Sequence, residues 1–482
     1  MPDLKFVLQQ IKNTKWWVES APGSVFLFDY IMKTFVAAKK IVGYPTLKQI
    51  VYISRDNISF EIASSAEKRK NFEKIYRHEL KKPGYFLKIL QPWSRLRRRL
   101  LRLNKIAVEK TAKMENADLI KFARIFLQIG FDSVVYGAFI ECVDPFTESW
   151  PKIFQKKYKI KDENLSTVVL VLSAPRTRSF LTQEKLDFLN LCLTKLTLKQ
   201  YLQKWFWIQT NYQQSTDITP AKLRGHIKKE LHKVGPEKIK KIINKTIHQE
   251  RQLVKDKQDL IHQLKLEKTD RVLFTLLEKF AAYIDLRKES MLRHTYARDK
   301  FLYILAQRFP YSLAEFRSMR DDEVLHILRG KKVDLKKISQ RHKISVMYYT
   351  PESETEFSGT DAEKIYRAFM HTFSSGAIKG VVASAPVKKL TGRVSVVMDV
   401  NRENFQSGTI LVTSMTRPEF MPLMRRAKAV VTDEGGLTCH AAIVSRELGI
   451  PCIISTKNAT KILKNGDQIE MDLSTGLIQI RK

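Results

Sequence analysis

The chain has 482 residues, 44% of them hydrophobic and 28% charged, which excludes a disordered polyelectrolyte and leaves room for several buried cores. Lysine and arginine outnumber aspartate and glutamate by 85 to 50, a formal net charge of +35. Such a balance favours acidic partners such as nucleic acid, nucleotides, phosphorylated metabolites or anionic membranes, although the cations are spread along the chain as on a lysine-rich solvated surface. The four cysteines, Cys142, Cys192, Cys439 and Cys452, form no C-x-x-C pair, so they indicate neither a zinc site nor a disulfide scaffold. A reducing cytoplasm is the expected location. The first seventeen residues mix Asp3, Lys5 and Lys12 with apolar residues and lack the apolar core of a signal peptide.

From Met1 to about Ile344 the dominant pattern is helical. The most membrane-like segment, Phe122 to Val143, contains Arg124, Gln128, Asp132 and Glu141 and is too polar for a lipid-facing span. Arg124, Gln128 and Asp132 recur every fourth residue, a helical stripe expected to face water. Val168 to Leu172 is a β-branched run that reads as a short buried strand. Pro236 to Lys268 reads as a long amphipathic helix with Ile239, Ile242, Ile243 and Ile247 on one stripe. Asp270 to Phe309 is a more buried helix, with Leu273, Leu276, Leu277, Phe280 and Ile284 and then Phe301, Leu302 and Leu305 at helical spacing. Pro310 ends it. Ser312 with Glu315 has capping-box spacing, and Asp321 or Asp322 is expected to cap a further helix that Gly330 closes. Ile344 to Tyr349 reads as a second short strand, and neither strand is expected to build a large sheet.

Thr350 to Asp361 is acidic, rich in Ser, Thr and Gly, and without an apolar period, which reads as a linker. A short helix, Ala362 to Phe373, follows. The last hundred residues differ in kind. Val394–Met398, Thr409–Val412, Ala429–Thr432, Cys452–Ile454, Ile469–Met471 and Leu477–Ile480 read as strands. Thr416–Arg426 and Cys439–Leu448 read as helices. The expected fold is therefore multidomain. A mainly helical region over residues 1–349, of one or two subdomains, is followed by an acidic linker and short helix over 350–375 and a compact α/β domain over 376–482.

The segment that carries chemistry is Val430-Val431-Thr432-Asp433-Glu434-Gly435-Gly436-Leu437-Thr438-Cys439-His440-Ala441-Ala442-Ile443-Val444. A buried strand runs into a Gly-Gly turn and then a helix. Thr438 has the chemistry of an N-cap, which puts His440 in the first helical turn. The positive end of the helix dipole disfavours imidazolium and favours a neutral, nucleophilic ring. A phosphoryl group on that ring would meet the free N–H groups of the helix start, and Gly435 and Gly436 would allow close backbone approach. The competing reading is a histidine that only caps its own turn.

This segment resembles the phosphohistidine signature of the mobile, swivelling domain of phosphoenolpyruvate-utilising enzymes, the superfamily of phosphoenolpyruvate synthase and rifampin phosphotransferase. Thr416, Pro418 and Pro422 upstream, and Arg446-Glu447-Leu448-Gly449-Ile450-Pro451-Cys452 with Gly466-Asp467 downstream, extend the likeness from Gly376 to Ile480. The resemblance implies a swivelling β/β/α domain with His440 as the phosphoryl carrier. It implies that Thr438 supports the phosphoryl group, and that Gly435, Gly436 and Cys439 cradle it. Cys439 stands where the family commonly has Ser or Cys and is not read as a nucleophile.

Full-length members of that superfamily begin with an ATP-grasp domain, and those that use or make phosphoenolpyruvate end in a TIM barrel. Neither is expected here: the region before residue 350 is helical, glycine-poor and without a G-x-x-x-x-G-K-[ST] loop, and the chain stops at Lys482. The first reading is thus a phosphotransferase component. Mg²⁺ and ATP or phosphoenolpyruvate form its expected donor system, supplied through a separate ATP-grasp partner, and its acceptor is a small molecule. Candidate acceptor-side cations are Arg287, Lys288, Arg293, His294 and Arg298, although for each of them an exposed, solvated helix face is the expected reading. The alternatives are a phosphorelay or regulatory phosphohistidine protein, and a basic nucleic-acid binder with a vestigial mobile domain. The latter draws on the run Arg95-Leu96-Arg97-Arg98-Arg99-Leu100-Leu101-Arg102 beside Trp93 and on the charge of +35.

Overall fold

The computed structural model describes residues 2–14, 16–38, 47–55, 58–141, 150–374, 378–398, 400, 405–416, 420–435 and 439–481. The chain divides into two compact units, one of residues 1–37, 45–68 and 334–482, the other of residues 38–44 and 69–333.

The first unit contains two sheets. An antiparallel five-stranded sheet is built from β1 (Trp16–Pro22), β2 (Ile50–Arg55), β3 (Ile58–Ser64), β4 (Ile344–Tyr349) and β5 (Glu354–Ser358), in the order β1-β3-β2-β4-β5. Its apolar residues Val51, Ile53, Ile62, Val346 and Tyr348 pack against Val7 and Ile11 of the helix Leu4–Asn13 and against Ile365 and Phe369 of the helix Gly359–Ser374.

Three expectations are corrected by this sheet. Ile344–Tyr349 is a strand, but it sits inside a large sheet, paired with β2 from nearly 300 residues earlier. The first 68 residues, expected to be helical, supply three of the five strands. The acidic stretch 350–361, expected to be a linker, makes a turn, the edge strand β5 and the start of a helix. Polar residues suit an exposed sheet edge as well as they suit a linker. Here Glu356 is fixed by a two-pronged pair with the buried Arg341, at 2.7 and 3.2 Å.

The second sheet is mixed and eight-stranded. Its strands are β6 (Ile378–Lys379), β7 (Val381–Ser384), β8 (Lys389–Val396), β9 (Ile410–Thr413), β10 (Ala429–Thr432), β11 (Cys452–Ile454), β12 (Gln468–Asp472) and β13 (Leu477–Arg481), in the order β6-β13-β12-β8-β9-β10-β11-β7. β8, β9, β10 and β11 run parallel; β7 is antiparallel to β11 and β12 to β8, and β13 and β6 continue outward as antiparallel pairs, β13 with β12 and β6 with β13. Successive residues face opposite sides: Ala429 and Val431 enter one core and Val430 the other. Cover on both faces explains why β9, β10 and β11 are continuous apolar runs, fully buried. All six strands expected in this region form, with β6 and β7 added. The helix expected over Thr416–Arg426 is reduced to the turn Met421–Met424, and residues 417–419 lie outside the described residues.

The second unit is helical. Tyr85–Glu109, Asn116–Glu141 and the 41-residue helix Lys268–Arg308 carry its centre. Phe86 and Leu90, Phe139 and Ile140, and Leu273, Leu276, Leu277 and Phe280 form one apolar cluster. The expected long helices appear as Pro236–Gln263 and Lys268–Arg308, and Ser312 and Glu315 make the reciprocal capping box. Asp321 opens the next helix at its first turn instead of capping it, and Gly330 follows that helix with φ 75°. The strand expected at Val168–Leu172 is instead part of the helix Asp162–Ser173. Val168, Val169 and Leu172 are buried, at helical spacing, in the same cluster, so packing overrides β-branched propensity. Arg124 and Gln128 face solvent as expected, and Gln128 donates to Asp132 at 2.9 Å. No described helix is long and apolar enough to cross a membrane.

Candidate functional site

β10 lies in the middle of the parallel strands, so its carboxyl end is where a loop can leave the sheet and meet a helix N-terminus. The exit is clamped from both sides. Asp433 N–H donates to Thr413 O at 3.1 Å and Glu434 N–H to Ser414 O at 2.9 Å, while Thr456 N–H donates to Thr432 O at 3.0 Å and Lys457 N–H to Asp433 O at 2.8 Å. The Asp433 carboxylate, 3% exposed, accepts from Thr456 Oγ1 at 3.2 Å and from Thr460 N at 3.0 Å, and also from the Thr460 hydroxyl. It thereby caps the turn of helix Ala459–Ile462. Lys461 Nζ lies 3.9 Å from the same carboxylate. Burial pulls the Lys461 ammonium below its usual range, while Asp433 and Glu434 oppose that shift. The strand end is therefore a fixed base for the loop that follows.

Gly435 begins that loop with φ 111°, in the left-handed region that favours glycine. A Cβ there would lie 2.5 Å from Cys439 Sγ, so a side chain would strain the backbone and also force Cys439 to shift. Gly436 and Thr438 lie outside the described residues. The helix that follows is His440–Leu448, with Cys439 in the N-cap position at φ −72° and ψ 164° and no side-chain cap bond. The N-cap is thus Cys439 in place of Thr438, and His440 is the first residue of the helix. Gly449, with φ 66°, closes the helix, and the chain returns through Ile450 and Pro451 to β11 beside β10.

Two further groups anchor this helix. Arg446 Nε donates to Ala383 O of β7 at 2.7 Å, tying the helix to the sheet edge. Cys452, fully buried on β11, has its thiol pushed up to about 12 by desolvation, which makes it an inert packing residue. The clamp at Asp433 was not anticipated from sequence. The acidic pair Asp433-Glu434 before the Gly-Gly turn was its only local sign, and the partners at 456–461 are distant in the chain.

The acceptor-side candidates stand in the helical unit, on the helix Lys268–Arg308. The structure corrects the expectation of a solvated face. Arg287 is 2% exposed, and His294 and Arg298 are fully buried. Arg287 lies over Gly137, whose missing Cβ would fall 2.7 Å from the arginine's Cγ and Cδ. His294 Nδ1 donates to Asn104 Oδ1 at 2.8 Å and its ring meets Phe126 edge-on at 4.9 Å. Burial, reinforced by Arg298, holds the His294 imidazole well below its ordinary range, so it is neutral. Arg293 donates to Glu289 at 2.9 Å and stacks over Trp207, and Arg298 is held by Asp321. Lys288 is half-buried. These are interior residues engaged in pairs and packing, not an open cationic surface. Among the described residues no group of three or more His, Cys, Asp or Glu side chains could hold a metal ion.

A glycine turn between a parallel strand and a helix that opens on histidine has the parts of an anion-binding, histidine-centred site. Residues 405–476 match the family model described as "PEP-utilising enzyme, mobile domain". Over 102 residues the chain is 48% identical to a probable phosphoenolpyruvate synthase of Methanothermobacter thermautotrophicus, a match covering 21% of this chain and 15% of that protein. It is 46% identical over 124 residues to the phosphoenolpyruvate synthase of Pyrococcus furiosus, covering 26% and 14% respectively. With that of Neisseria meningitidis serogroup B it shares 45% over 86 residues, covering 18% and 11%. Among solved structures, the holo-form of Thermococcus kodakaraensis aconitase X is similar over 22% of this chain and 100% of that chain, at 19% identity and a TM-score of 0.19, which carries no argument about fold or function. Residues 405–476 thus have the sequence of the mobile domain of the phosphoenolpyruvate-utilising enzymes. The chain spans 11–15% of the length of these three curated relatives.

Proposed function

We propose that this protein is a phosphotransferase component in which His440 carries a phosphoryl group between a donor and an acceptor. The observation that carries the reading is the position of His440 as the first residue of a helix, after a strand end and a glycine turn, inside a domain 41–50% identical to the corresponding part of phosphoenolpyruvate synthases. In the first half-reaction an imidazole nitrogen attacks the donor phosphorus, the bond from phosphorus to the donor's leaving oxygen breaks, and that oxygen keeps the electron pair. In the second, an acceptor oxygen attacks, the P–N bond breaks, and its electron pair returns to the ring. The helix's free N–H groups would face the phosphoryl oxygens, Gly435 and Gly436 would let the backbone approach them, and Thr438 and Cys439 would complete the cradle. In this proposal Mg²⁺ with ATP, or phosphoenolpyruvate, belongs to the donor side, on a separate ATP-grasp or other donor protein, and the acceptor is a small molecule.

The test is phosphorylation of purified protein with β- or γ-labelled ATP, or labelled phosphoenolpyruvate, with and without an ATP-grasp partner. Acid-labile, base-stable label is expected on the wild type and none on His440→Ala. The donor that works separates the ATP branch from the phosphoenolpyruvate branch. Folded wild-type protein that takes no label from any donor and partner, or label that persists on His440→Ala, would overturn the proposal.

A further inference from the structure

The helix Tyr85–Glu109 has two faces of opposite character. Phe86, Leu90, Trp93, Leu100, Asn104 and Ala107 are buried at spacings of three and four, so one face is spent on the core. The opposite face carries Lys88, Arg95, Arg98, Arg99, Arg102 and Lys105, all exposed. Lys88, Arg95 and Arg102 are seven residues apart and so stand in line along the outer face, with the other three flanking them. Among the described residues no carboxylate pairs with Lys88, Arg95, Arg98, Arg99 or Arg102, and Lys105 meets only Glu109, at 4.0 Å. Glu109 is the helix's only acidic residue. The fifth arginine of the helix, Arg97, turns inward to Glu289 at 2.9 Å, which separates the ridge from the residues that hold the fold.

We propose that this ridge docks the phosphate backbone of a nucleic acid. From Lys88 to Lys105 it extends about 25 Å at about 1.5 Å per residue, the axial length of roughly seven nucleotides at about 3.4 Å per phosphate on one strand. Four of its six cations are arginines, whose planar forks take phosphate oxygens in pairs. A membrane surface fits less well. Basic helices that lie on membranes bury their apolar face in the lipid, and here that face is already buried in protein. The recognition is by charge and rise, so it is independent of base sequence. It is separate from the histidine chemistry and does not require it.

The experiment is fluorescence anisotropy of the full chain with short labelled duplex and single-stranded oligonucleotides over a series of salt concentrations. Two triple variants are compared with wild type: Arg95→Ala/Arg98→Ala/Arg102→Ala on the ridge, and Lys222→Ala/Lys228→Ala/Lys229→Ala on the equally exposed outer face of helix Pro220–Val234. The ridge variant is expected to bind at least about tenfold more weakly and to lower the log–log salt slope by about 2–3, at about 0.9 per lost contact on duplex and 0.7 on single strands. The control variant is expected to keep most of the affinity. Equal losses in the two variants would mean diffuse attraction to a basic protein and would overturn the proposal. So would wild type that binds neither oligonucleotide at low salt, or that binds only phosphatidylserine vesicles.

Discussion

The interiors of the two regions are built from different materials. The faces of the eight-stranded sheet are largely apolar, from Ile410, Val431 and Ile453 on one to Leu411, Val430 and Ile454 on the other, with Ser395, Thr413 and Thr432 among its buried polar residues. The long helix of the helical unit buries Arg287, Ser290, His294, Thr295, Arg298 and Asp299 alongside its leucines and phenylalanines. An apolar interior is largely indifferent to which partner a side chain meets. A polar interior stands only if every charge finds a specific counterpart, because an unpaired buried charge costs several kcal/mol. Arg298 has Asp321. Asp299 accepts from Arg317 Nε at 2.8 Å and from Ser215 N at 2.8 Å. The helical unit's specificity should therefore reside in a few pairs, and the mobile domain's in its loop geometry.

Removing one such counterpart is the largest way to break that contrast. Arg298→Ala deletes a fully buried guanidinium and strands the helix Asp321–Leu328 without its tie to the long helix. We expect a loss of about 3 kcal/mol, near the low end for breaking a buried pair because Asp321 keeps partial access to water. Urea unfolding measures it. A loss below about 1 kcal/mol, the range of an exposed pair, would mean that the polar interior is not held by its pairs.

The same contrast explains what could be read in advance. The strands β9, β10 and β11 were legible because parallel strands covered on both faces are short continuous apolar runs, and β8, β12 and β13 because short β-branched or alternating runs stand beside turn residues. The glycine turn and His440 were legible because the parts of the site are contiguous in the chain. The clamp at Asp433 was not, since it is closed by Thr456 and Thr460. Nor was the five-stranded sheet, which is closed by pairing Val51 with Tyr348. The buried cations of the long helix were mistaken for an outer face because helical spacing states which residues share a side, but not whether that side meets water or another helix's glycines. Acidic composition misled in the same way at β5, where Glu356 is an edge-strand residue with a buried arginine for a partner.

Within the mobile domain, two glycines sharpen the point about loop geometry. Gly435 and Gly449 both have positive φ, at 111° and 66°. A Cβ at Gly449 would meet nothing within 4 Å, whereas one at Gly435 would collide with Cys439 at the start of the histidine helix. Gly449→Ala is expected to cost about 1 kcal/mol of stability, the backbone penalty alone, and to leave His440 labelling unchanged. Gly435→Ala is expected to cost about 1–2 kcal/mol in the same unfolding assay and, in addition, to slow labelling at least tenfold by displacing the N-cap. Equal labelling of the two variants would show that the turn is only a connector.

A further effect concerns protons. His294 is buried neutral, so its folded-state affinity for a proton is depressed below that of the unfolded chain, near the ordinary histidine value of about 6.5. The unfolded state then binds the extra proton first as pH falls. The neutral ring's contribution is fully present above about pH 6.5 and is lost below it, at up to about 1.4 kcal/mol per pH unit for one group. Asn104 and Phe126, which meet the ring from the neighbouring helices, are uncharged, and Arg298, on its own helix, is a like charge that disfavours the imidazolium further. Wild type should therefore lose stability more steeply than His294→Gln between about pH 6.5 and 5, and the two should run parallel above it. Urea midpoints for both proteins across that range read the difference directly. Parallel curves throughout would mean that the imidazole can be protonated where it sits.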